Sequence, residues 1–99
     1  MINYQFDAEV LDITENRDGS DTEFNIKLHQ EQPYLDRLRL VQHVFDDNKD
    51  YTDVLFYAYA GHEYKVIVRQ EHYVDFVTEL WKARLLRSLE WNEECWDPR

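Results

Sequence analysis

The sequence predicts an α+β fold of two layers, an antiparallel sheet of about four strands with two helices on one face, in the order ββαββα. Three observations predict it. Residues 2–28 and 51–69 carry apolar side chains in the period-two or continuous apolar patterns of strands. Residues 33–46 and 70–91, one after each of those stretches, carry apolar side chains at helical spacing. The connections are short, since the chain has only two Gly and two Pro in 99 residues. Runs of strands alternating with helices, without long linkers, pack as a sheet layer against a helix layer. The chain is read as one domain, 1–99, of 12.2 kDa.

The first strand spans residues 2–14. Ile2, Tyr4, Phe6, Ala8 and Val10 share one face; Asn3, Gln5, Asp7 and Glu9 share the other. The phase shifts at Val10-Leu11, where a β-bulge would re-aim the side chains. Residues 15–21 form a turn in which Asp18-Gly19 supplies residue types that accept positive φ. The next strand sets Phe24, Ile26 and Leu28 against Glu23, Asn25, Lys27 and His29.

The first helix begins near Pro33, which can occupy an opening turn without losing a hydrogen bond. Tyr34, Leu38, Val41 and Phe45 line one stripe, widened by Leu40 and Val44. The rival reading makes 38–45 a strand, giving a five-stranded meander followed by a C-terminal helix. The segment 51–60 is apolar on both faces beyond Asp53, as expected of a covered, central strand. Gly61-His62 connects it to a strand in which Tyr64, Val66 and Val68 oppose Glu63, Lys65 and Arg69. A long helix follows from about Gln70 to Trp91. Glu71, Asp75 and Glu79 lie in its first half and Lys82, Arg84 and Arg87 in its second, which agrees with the helix dipole.

The formal net charge of −10 excludes a general nucleic-acid binder and an anionic membrane surface, both of which need a dense basic face. No apolar run is long enough to cross a bilayer, and the first residues lack the basic and apolar regions of a signal peptide. The single Cys95 cannot form an internal disulfide, so a cytoplasmic location is expected.

Catalytic and metal motifs are weak throughout. His29, His43, His62 and His72 have no His or Cys within four residues, so zinc spacing is missing; a folded cluster of His62, His72 and Asp75 is the remaining possibility. Cys95 lies among Glu93, Glu94 and Asp97, which disfavour a thiolate. Ser20 and Ser88 lack a nucleophile elbow. The acid-rich stretches 18–21 and 46–53 do not have the alternating ligands of a calcium loop. No cofactor is implied.

Charge and aromatics carry the functional expectation. Residues 1–23 hold seven acids against Arg17, a net of −6, while residues 65–87 hold five bases against three acids, a net of +2. Surfaces of opposite sign would steer a charged partner or pair copies head to tail. The final segment holds Trp91 and Trp96, which either fold back on the sheet or dock on a partner. Two helices cover only one side of a four-stranded sheet, so apolar side chains on the other side need cover. The expected role is a non-enzymatic, regulatory protein–protein contact, with a second copy or another protein, through Tyr57, Tyr59, Tyr64, Trp81, Trp91 and Trp96. One alternative is an acidic inhibitor that mimics nucleic acid and blocks a DNA-binding protein. The other is a small enzyme or ligand carrier using a His and Tyr pair such as His62 and Tyr64.

Overall fold

A computed structural model of the chain describes residues 2–47 and 54–91. It is a mixed α+β arrangement of two helices and two antiparallel sheets. The elements are β1 (Ile2–Gln5), β2 (Leu11–Asp18), β3 (Asp21–Leu28), α1 (Tyr34–Asp47), β4 (Val54–Tyr59), β5 (Glu63–Arg69), α2 (Tyr73–Lys82) and β6 (Ser88–Trp91). The larger sheet runs β2-β3-β5-β4, and β1 pairs with β6 in a second, two-stranded sheet. Among the described residues, no helix is long and apolar enough to cross a membrane.

Strand register sorts the large sheet into two faces. Leu11, Ile13, Thr22, Phe24, Ile26, Leu28, Val66 and Val68 are buried on the inner face, under the helices. The alternate residues Asp12, Thr14, Asn25, Lys27, Glu63 and Lys65 form the outer face. The period-two patterns of β3 and β5 therefore stand as the sequence predicts.

Both helices lie over the inner face. The α1 stripe is Leu35, Leu38, Val41 and Phe45, all buried, which settles residues 34–47 as helix and removes the meander alternative. Leu40 and Val44 do not widen the stripe but face solvent, at 62% and 40% exposure. On α2, Tyr73, Phe76, Val77 and Leu80 are buried. Phe76 is the hub of the core. Its ring lies 4.7 Å from that of Phe24 in β3, 5.8 Å from Phe45 in α1 and 6.0 Å from Phe56 in β4. One side chain thus joins both helices to the two halves of the sheet.

Four sequence expectations are corrected. The break near Val10 is a turn, not a bulge. The Asp7 carboxylate accepts the Glu9 N–H at 3.0 Å and its carbonyl accepts those of Val10 and Leu11 at 2.9 and 3.1 Å. This local bonding ends β1 and re-phases the chain. Second, residues 15–18 are strand: Asp18 pairs with Asp21, leaving Gly19-Ser20 as a two-residue turn with Gly19 at φ +64°.

Third, β4 is an edge strand, not a central one. Its inner face meets the core at Val54 and Phe56, while Leu55, Tyr57 and Tyr59 on its outer face are exposed. Fourth, the last helix ends at Lys82, nine residues before Trp91. The Arg84 N–H bonds the Trp81 carbonyl at 2.9 Å and the Leu85 N–H bonds the Leu80 carbonyl at 3.0 Å, with Arg84 at φ +62°. That pair of bonds is a Schellman stop, and Leu80 and Leu85 at its two ends are both buried in the core. Glycine is the usual residue at the left-handed position, and Arg84 gives no such cue. The freed residues reach β1, where Arg87 N–H bonds the Gln5 carbonyl at 2.7 Å and Tyr4 pairs with Leu89.

Candidate interaction surface

The site with the most exposed apolar area on one element is β4, Val-Leu-Phe-Tyr-Ala-Tyr. Its aromatic and branched residues suit a pleated strand, and its pairing with β5 is continuous from Val54↔Val68 to Tyr59↔Glu63. The turn at 60–62 is closed by Gly61 and His62, both at positive φ. Within β4, Leu55, Tyr57 and Tyr59 project from the outer face at 46%, 43% and 53% exposure, a row beside Ile67 and Lys65 of β5. The Lys65 ammonium lies 5.9 Å from the Tyr59 ring centroid, a weak cation–π contact that orients this ring.

Among the described residues, the two outer strands of this sheet differ. The β2 edge carries Asp12, Glu15, Arg17 and Asp18 within eight residues, whereas β4 carries no charge in six. Charged residues on an edge strand discourage pairing with another chain, and their absence permits it.

The six expected contact residues are not one patch. Tyr57 and Tyr59 stand together on the outer face. Tyr64, opposite Ile26 and Ala58, lies half-buried on the inner face, so the sheet separates it from them. Trp81 and Trp91 are exposed at 48% and 59% on α2 and β6. Trp91 borders a recess of about 130 Å³ with Ile2, Val74, Thr78 and Leu89. Trp96 lies outside the described residues, as do Cys95 and the rest of the tail from 92 onward. Leu55 and Val74 escaped the sequence reading; a strand or helix register was needed to place them on the outside.

A wider depression of about 360 Å³ crosses the outer face, lined by Asp12, Thr14, Asn25, Lys27, Tyr59 and Glu63 among others. Asp12 is engaged by the His29 imidazole, Nε2 to Oδ2 at 2.7 Å. The proposed cluster of His62, His72 and Asp75 is not assembled. His72 lies 3.7 Å from Asp75, but His62 faces Glu31 at 3.8 Å, at the other end of β5. Among the described residues, no group of three His, Cys, Asp or Glu side chains is placed to hold a metal ion.

The opposite charge zones partly meet inside the fold. Lys65 Nζ lies 3.2 Å from Glu23 Oε1, and Asp21 pairs in register with Arg69. The hydrogen bond from Lys65 holds the Glu23 carboxyl below the usual range, and Glu23 in turn raises Lys65.

One polar constellation was invisible in the sequence. Glu15 sits on the inner face opposite Phe24, and its Oε2 accepts hydrogen bonds from the Tyr4 hydroxyl and, at 3.0 Å, the Tyr73 hydroxyl. Burial first, and then Glu15, pushes both phenols well above their ordinary value. Both tyrosines therefore stay protonated donors. The arrangement ties β1, β2 and α2 together and offers no base or nucleophile toward solvent. No family model, no curated protein and no solved structure matches this chain.

Proposed function

We propose that this chain is a non-enzymatic, cytoplasmic protein that works by binding another protein through the outer edge of its sheet. The observation that carries the reading is β4: six uncharged residues at a free sheet edge, with Leu55, Tyr57 and Tyr59 all outward and exposed. In a chain that is 32% charged, it is the longest of the described strands without a charge. Exposed edges recognise other chains by adding a strand, with main-chain hydrogen bonds supplying affinity and alternate side chains supplying specificity. The aromatic content favours the same reading, since Tyr anchors contacts with little side-chain entropy to lose.

A photo-reactive amino acid at position 57, compared with one at the exposed Arg39 on α1, tests this in the native cell. Adducts specific to position 57, and lost when Leu55 and Tyr59 are both changed to Lys, are expected. Equal labelling from both positions, or none from position 57, would remove β4 as the contact.

A further inference from the structure

We propose that the occupant of the β4 edge is a second copy of this chain, paired antiparallel about a two-fold axis that passes through Tyr57. The inference rests on the edge-binding reading above and adds the partner's identity.

The argument is one of register. Residues directly opposite in an antiparallel pair point to the same face. Within β4, the odd residues Leu55, Tyr57 and Tyr59 face outward and the even ones inward. A two-fold axis at Tyr57 sets Tyr57 against Tyr57 of the other copy, and each Leu55 against a Tyr59. On the inner face it sets each Phe56 against an Ala58, a large side chain against a small one. Every opposed pair is apolar or aromatic, and no like charges meet. Aromatic and aromatic–aliphatic cross-strand pairs are the favourable kind. Such an interface is isologous and closes as a dimer, with one continuous eight-stranded sheet and all four helices on the same face.

Charge agrees. Each copy carries −10, so two copies repel except across an uncharged seam, and β4 is the edge of the four-stranded sheet without charge. The β2 edge carries Asp12, Glu15 and Asp18 against Arg17 alone, a net negative strand that disfavours pairing with a second acidic copy. The five-residue seam, 55–59, is about 17 Å long, short of a standard interface, so the dimer should be weak, with association in roughly the micromolar to millimolar range. Salt should strengthen it, because screening removes the repulsion.

Sedimentation equilibrium at rising concentration, in low and high salt, is the first measurement. The mass should climb from 12.2 kDa toward twice that value, more steeply in salt. Tyr57→Glu, on an exposed side chain opposite Lys65, should abolish the rise while leaving circular dichroism and Tm unchanged. The second measurement is disulfide trapping in a Cys95→Ser background. Tyr57→Cys should oxidise to a covalent dimer, because that position faces itself. Leu55→Cys and Tyr59→Cys should dimerise slowly alone and readily when mixed. A monomer at every concentration and salt, or equal trapping at all three positions, overturns self-pairing. If position 57 still crosslinks to a different protein in the cell, the edge remains a binding site and only the identity of its occupant falls.

Discussion

Replacing Glu15 tests whether the carboxylate between Tyr4 and Tyr73 is a structural brace. Its Oε2 accepts both phenol hydroxyls, and so joins β1, β2 and the start of α2. A hydrogen bond to a charged acceptor contributes about 1.5–3 kcal/mol when well desolvated. Tyr4 and Glu15 are only partly buried, so the lower half of that range applies. Glu15→Ala, which strands two hydroxyls, is expected to cost about 2–4 kcal/mol, and Glu15→Gln, which keeps an oxygen acceptor, about 1–2 kcal/mol. Urea unfolding at pH 7, followed by Trp fluorescence and circular dichroism, measures both.

The pH dependence gives an independent readout. Folded-state values raised above the ordinary 10.0 mean that the stability is intact below about pH 10 and falls as pH rises further. Two protons bound the slope at about 2.7 kcal/mol per pH unit, and solvent screening at the half-exposed Tyr4 lowers it. Glu15→Gln removes part of what holds those protons, so the alkaline loss should shrink. A Glu15→Ala protein within about 0.5 kcal/mol of the parent, with an unchanged alkaline limb, would refute the brace.

The other predictions are more local. Phe76→Ala removes the ring shared by Phe24, Phe45 and Phe56 and should cost about 3–5 kcal/mol, a large fraction of a small domain's stability, read from the urea midpoint. Arg84→Gly places glycine at φ +62° and should stabilise by about 0.5–1 kcal/mol, with a matching rise in Tm. Glu23, lowered by Lys65, contributes stability above the ordinary carboxyl range that is lost as pH falls through its folded value. Lys65→Met should therefore flatten the acid limb of the urea midpoint below about pH 4.5, and an unchanged limb would separate that pair from acid sensitivity.

The strands with one wet face were legible because alternation records which side meets the core: Phe24, Ile26 and Leu28 against Asn25 and Lys27. α1 was legible for the same reason, although Leu40 and Val44 show that an apolar residue beside a stripe need not join it. The helix stop at Arg84 was not legible. It depends on a backbone conformation that glycine announces and arginine does not. The pairing of β1 with β6 was hidden by the same error, since a helix running to Trp91 leaves β1 without a partner. Glu15 reads as a turn residue, so nothing in the pattern pointed to its phenols. Its one available cue was position, two residues beyond Ile13 on the apolar phase of β2.

The misplacement of β4 has a physical lesson that bears on function. A strand apolar on both faces needs cover on both, and a central place between two layers is only one way to obtain it. Here the helices cover the inner face at Val54 and Phe56, and the described fold leaves Leu55, Tyr57 and Tyr59 wet. Folding alone does not require those three residues to be apolar. A glutamate at 57, opposite Lys65, would sit as well beside solvent, as Asp12 and Asp18 do on the opposite edge. Stability and association therefore separate cleanly at this strand. If the outer row were merely tolerated, charge at 57 would alter neither property. If it serves a contact, the same charge leaves the unfolding midpoint of dilute protein in place and removes the complex.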